Sequence, residues 1–173
     1  MRQREKPLVV VGSAPYAAKY TEKIDAEYAK NKKNIKLLGA VYDQDLLDQL
    51  YSGAFTYLHG HSVGGTNPSL LRAIGAGTAV IAKDVSFNRH IVREDGWYFS
   101  GSNQVDVALT EAEANPDRVS QVGQIIQDRA SRQFSWDDVA KQYEQLAMDI
   151  ASKTVTRLDR RYKRRKKQAV DPA

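Results

Sequence analysis

At 173 residues, 42% hydrophobic and 27% charged, the chain can bury one ordinary core and reads as a single domain. It has no cysteine, which excludes a disulfide framework and thiolate metal sites, and no apolar run near the roughly 20 residues that span a bilayer, so a cytoplasmic location is expected. The net charge of +5 misleads: residues 152–173 hold nine Lys/Arg against two Asp, so residues 1–151 are net acidic and give no nucleic-acid footprint.

Leu8-Val9-Val10-Val11 reads as a buried strand ending in a turn at Gly12-Ser13. An amphipathic helix over 16–31 follows, with Tyr20, Ile24, Glu27 and Tyr28 recurring by turns. The unit repeats: a strand over 35–38 ends at Gly39, and Asp43 opens a helix in which Leu46, Leu47 and Leu50 share a face. Further strands fall at 54–58 and 79–82, with a helix over 68–76 between them. Apolar strands alternating with helices predict a parallel sheet covered on both faces, an α/β, Rossmann-like, doubly wound fold.

Beyond Lys83 the spacing predicts a short helical turn through Ile91-Val92, a small strand at Trp97-Tyr98-Phe99, and helices over 104–114, 116–133 and 135 to about 152. Ser135 caps the last helix, and Val139, Tyr143, Leu146 and Ile150 give it an apolar stripe. That stripe and Trp136 are expected in the core, the alternative being a helix that crosses to a partner domain. The domain therefore runs over 1–151, with extra C-terminal helices, and is followed by a basic tail over 152–173. Such a tail is disordered or helical, and either solvated or drawn to an anionic membrane surface.

The most telling stretch is His59-Gly60-His61-Ser62-Val63-Gly64-Gly65-Thr66-Asn67-Pro68-Ser69-Leu70-Leu71. Glycines bar regular structure from passing through the turn; Asn67 stands where an N-cap belongs, and Pro68 fills the first helical position. The N–H groups of Ser69, Leu70 and Leu71 are expected to point back into the turn, where the helix dipole favours an anion. The residues alone thus suggest a phosphate or diphosphate site, against the plainer reading of a strand-to-helix connection.

Other candidates are weaker. His59 and His61, two apart at a strand end, point the same way, but with no third ligand the expectation is that one packs and His61 lines the cleft. His90 is expected in a surface turn. Gly12-Ser13-Ala14-Pro15 lacks the later glycines of a dinucleotide fingerprint, which disfavours NAD and an epimerase. Asp84 and Glu94-Asp95 read as turn and capping residues, so no catalytic residue is assigned.

The stretch from His59 to Leu71, with the segments from Gly39 to Tyr51 and Ala76 to Ala82, resembles the donor-binding half of retaining glycosyltransferases of the GT-B fold, and within them the bacterial rhamnosyltransferase-like branch. The resemblance covers about residues 7–150. It implies transfer of a sugar such as rhamnose from a nucleoside diphosphate sugar, with a uridine or deoxythymidine base, to an acceptor hydroxyl in bacterial polysaccharide synthesis. The anomeric configuration is retained, and neither cofactor nor metal is required. It places His61, Ser62, Val63, Gly64, Gly65, Thr66, Asn67, Ser69 and Arg72 at the donor diphosphate and sugar, and Val41 and Tyr42 near the base.

Two departures stand out. The wider family carries glutamates at the positions matching Gly64 and Arg72, the second accepting ribose hydroxyls; a guanidinium has five donors and no acceptor, so Arg72 is left to pair with a phosphate. Relatives also have an acceptor-binding domain and a further strand ahead of the one matching Leu8 to Gly12. The chain therefore reads as a fragment that needs a partner domain and binds donor weakly alone, or as a non-catalytic module of the same fold acting in assembly or membrane recruitment.

Overall fold

The computed structural model describes residues 6–12, 17–30 and 34–154. Ser13-Ala14-Pro15, the ends of the first expected helix and the tail from 155 onward lie outside the described residues. Twelve elements follow in order among the described residues. They are β1 (Leu8–Val11), α1 (Ala18–Lys30), β2 (Ile35–Gly39), α2 (Gln44–Ser52), β3 (Tyr57–His59) and α3 (Pro68–Gly75). The rest are β4 (Val80–Lys83), α4 (Ser86–Val92), β5 (Trp97–Phe99), α5 (Ser102–Ala114), α6 (Pro116–Gln133) and α7 (Trp136–Ala151). The chain is an α/β protein with parallel strands flanked by helices, as expected.

The strands form two parallel sheets, β2-β1 and β3-β4-β5, where one was expected. Within each sheet every strand runs parallel to its neighbour, and each step between paired strands is made through a helix, the right-handed crossover unit of doubly wound folds. Expectation fails for β1 in one further respect. Its four apolar residues are 37–47% exposed, because α1 has no buried residue to cover them. β3 starts at Tyr57, not at 54, since Ala54 still donates its N–H to the Tyr51 carbonyl as α2 ends.

The core is built around β4, whose Val80, Ile81 and Ala82 are fully buried between Leu70 and Ile74 of α3 and residues of α4, α5 and α6. Ile91 and Val92 of α4, Trp97 of β5, Ala108 and Ala112 of α5, and Val119, Val122 and Ile126 of α6 complete it. α6 packs so close to the turn after α3 that a Cβ on Gly123 would lie 2.1 Å from the Gly77 carbonyl oxygen. Arg129 of α6 donates to the Val92 carbonyl at 2.9 Å, satisfying a carbonyl at the end of α4, and also pairs with Asp95.

α7 does not join this core. Trp136 is 85% exposed and Tyr143 71%, and none of its residues is buried, which corrects the expectation that its stripe is core. The amphipathic period is real, yet no described element covers that face. No helix among the described residues is long and apolar enough to cross a membrane.

Candidate functional site

β3 ends at His59 and α3 begins at Pro68; the bend between them is open. Residues 60–66 are exposed, and a Cβ added at Gly60, Gly64 or Gly65 would meet nothing within 4 Å. Gly64 adopts φ +113°, a conformation that side chains resist, so glycine is needed there for the backbone and not for space. No N–H from Ser62 to Thr66 is engaged by another described residue. Val63 at the tip is 86% exposed.

The helix start departs from expectation. Asn67, extended at φ −92° and ψ 129°, accepts from the Ser69 N–H at 2.9 Å and from the Ser69 hydroxyl at 2.5 Å. The Leu71 N–H already donates to the Asn67 carbonyl at 3.1 Å. Of the three N–H groups expected to face the bend, Ser69 and Leu71 are therefore occupied, because the cap and the first helical bond take them. Leu70 alone makes no such bond among the described residues. The donors available to an anion lie mainly in the bend itself.

Beneath the bend sits a buried polar layer. His59 is fully buried, its ring stacked on that of exposed His61 with centroids 4.9 Å apart. Burial, and then the neighbouring His61, pushes the His59 pKa down to about 4, so the imidazole is neutral at physiological pH. Its Nε2 has no partner among the described residues, and its Nδ1 is 3.5 Å from the Tyr57 hydroxyl. Asn88, also fully buried, donates its amide to the carbonyls of His61 at 3.1 Å and Lys83 at 2.9 Å, pinning the start of the bend to the end of β4. Sequence reasoning missed Asn88. Its signal is placement on one helical face with Ile91 and Val92, three and four residues on.

Arg72 lies on α3 and faces α2. Its Nε donates to Asp48 Oδ1 at 2.8 Å, Nη1 to Gln44 Oε1 at 2.5 Å and Nη2 to the Gln44 carbonyl at 3.0 Å. Arg72 in turn holds the Asp48 carboxyl below the usual carboxylate range. Asp43 caps α2, accepting from the Asp45 and Leu46 N–H groups at 3.0 and 3.1 Å. Just before it, Val41 is half-buried and Tyr42 is 85% exposed.

The remaining candidates fall elsewhere. Asp84 forms a two-pronged pair with Arg89 at 2.5 and 2.9 Å, and Asp95 pairs with Arg129, so both act as structural partners. His90 is exposed on α4. Among the described residues no group of three or more His, Asp or Glu is gathered to hold a metal ion.

No protein-family model matches this chain, and no curated protein does. Solved structures resemble it. Sucrose-phosphate synthase from Thermosynechococcus elongatus superposes with a TM-score of 0.73 at 22% identity, over 84% of this chain and 38% of that one. HepE from Anabaena in complex with UDP gives 0.69 at 16%, over 85% and 41%. WaaG, a glycosyltransferase involved in lipopolysaccharide biosynthesis, gives 0.56 at 21%, over 72% and 34%. The chain thus spans about two-fifths of the length of the first two, and the likeness is one of fold, a Rossmann-like half of the GT-B architecture.

Proposed function

We propose that the chain is the donor-binding domain of a retaining, metal-independent glycosyltransferase that moves a hexose or deoxyhexose such as rhamnose from a nucleoside diphosphate sugar to an acceptor hydroxyl in polysaccharide synthesis. The observation that carries this reading is the open bend over 60–66, whose N–H groups from Ser62 to Thr66 are unengaged by other described residues. The shared fold supports it, since HepE was solved with UDP and with UDP-glucose.

In this reading the amides of Ser62, Val63, Gly64, Gly65 and Thr66 hold the diphosphate, with Asn67 and Ser69 fixing the end of the bend and His61 beside the sugar. Donors fixed before the reaction stabilise charge growing on the leaving diphosphate without reorganising. Because His59 is neutral, its ring adds no counter-charge, so the bend binds the anion through dipoles. Val41 and Tyr42 lie toward the base. A separate acceptor-binding domain supplies the hydroxyl, and the protein works in the cytoplasm, the basic tail resting on the inner face of the membrane.

Calorimetric titration with UDP tests the reading, with amide NMR shifts at Gly64 and Gly65 as the local readout. Absence of both heat and shifts overturns it. The engagement of Arg72 by α2 favours one second reading, a non-catalytic module of the same fold acting in assembly, which would bind no nucleotide.

A further inference from the structure

Resting on the donor-binding reading, we infer that Arg72 is a positioning residue for the nucleobase, acting through Gln44 to hold Tyr42 as the base platform, and that it does not pair with the donor phosphates. The guanidinium places three of its N–H bonds on α2, on Asp48 Oδ1, Gln44 Oε1 and the Gln44 carbonyl. Asp48 neutralises its charge at 2.8 Å, so little is left to offer a phosphate.

Gln44 then passes the constraint on. Its Nε2 donates to the Tyr42 carbonyl at 2.9 Å. The orientation of this amide follows from chemistry: Arg72 carries only donors, so Gln44 must turn its oxygen toward Arg72 and its nitrogen toward the carbonyl. Asp43, between the two, is locked as the N-cap of α2. Residues 42–44 are thereby held from both sides, by the cap and by Arg72.

Two features make this more than a strut between helices. Arg72 does not stop at its salt bridge with Asp48: its two further bonds go to Gln44, the first residue of α2. The residue whose backbone is so fixed is Tyr42, three residues past the carboxyl end of β2, and its 85% exposed ring is open as a stacking surface for a base. Arg72 stands one turn inside α3, so its bonds tie the start of α2, and Tyr42 through Gln44, to the helix that opens directly after the bend.

The test compares UDP with inorganic pyrophosphate, titrated into the wild-type chain and into Arg72→Ala, Gln44→Ala and Tyr42→Ala, each checked for a cooperative thermal melt. Base positioning predicts a loss of tenfold or more for UDP in all three variants, with pyrophosphate affinity within twofold of wild type. Equal loss for both ligands in Arg72→Ala shows a phosphate contact and overturns the inference; unchanged UDP affinity in Arg72→Ala or Gln44→Ala does so too. If Arg72→Ala does not fold, Gln44→Ala decides alone, because it leaves the pair with Asp48 in place. A wild-type chain that binds neither ligand instead removes the donor-site reading itself; where wild type binds UDP but not pyrophosphate, uridine serves as the second probe, and unchanged uridine affinity in Arg72→Ala overturns the inference.

Discussion

The hydroxyl of Tyr57 lies 2.9 Å from that of Ser69, tying the strand before the bend to the helix after it. Ser69 spends its own proton on Asn67 Oδ1, so its oxygen accepts and Tyr57 donates. The relay runs Tyr57 to Ser69 to Asn67 and fixes the mouth of the bend. Tyr57→Phe removes only the first donor. Its melting temperature should fall by about 2–4 °C, the effect of roughly 1 kcal/mol on a chain of this size, and UDP affinity should fall with it.

Asn67 separates capping from charge. Asn67→Ala should lose about 1–2 kcal/mol in urea unfolding, since the Ser69 N–H loses its acceptor. Asn67→Asp keeps an acceptor there and should unfold like wild type, yet its negative charge beside the bend should abolish pyrophosphate binding in the same titration.

Gly123 is fixed by sterics. A Cβ at 2.1 Å from the Gly77 oxygen cannot be absorbed by a side-chain rotation, because the obstacle is backbone. Gly123→Ala should destabilise the fold by about 1–3 kcal/mol in chemical denaturation.

Acid should loosen the layer under the bend. The folded His59 pKa, near 4, lies below its ordinary 6.5, so between these values the unfolded chain binds more protons. The stability held by neutral His59 is complete above pH 6.5 and is lost as pH falls toward 4, on the order of 2–3 kcal/mol in all. Stability measured across that window should flatten in His59→Gln, which cannot titrate.

Arg72→Glu would place a carboxylate against Asp48, whose neighbours Gln44 and Arg72 now satisfy one another. The variant should melt below wild type and gain no UDP affinity, as circular dichroism and calorimetry would show.

Local features of the chain were legible wherever the signal sits within a few residues. Asn67 and Pro68 mark the start of α3, Ser135 that of α7, and Pro116 that of α6, because caps act through neighbouring N–H groups. Long-range facts were not legible. Arg72 finds Asp48 across 24 residues and Gln44 across 28, and no periodicity encodes such a meeting. The stripes of β1 and α7 report that a face is apolar, not which element covers it, so both were assigned to a core that does not reach them. The open bend was readable from its glycines, whereas the occupied N–H groups of Ser69 and Leu71 depend on rotamers and on the first helical bond.

Every buried residue in the described chain lies at or beyond His59; from β1 to β2 there is none. Amides of Leu8–Val11 and Ile35–Gly39 should therefore exchange with deuterium through small local openings while those of β4 wait for global unfolding. A nucleotide gripping the bend with its phosphates and Tyr42 with its base would span both regions, and its occupancy would be read as slowed exchange in β2.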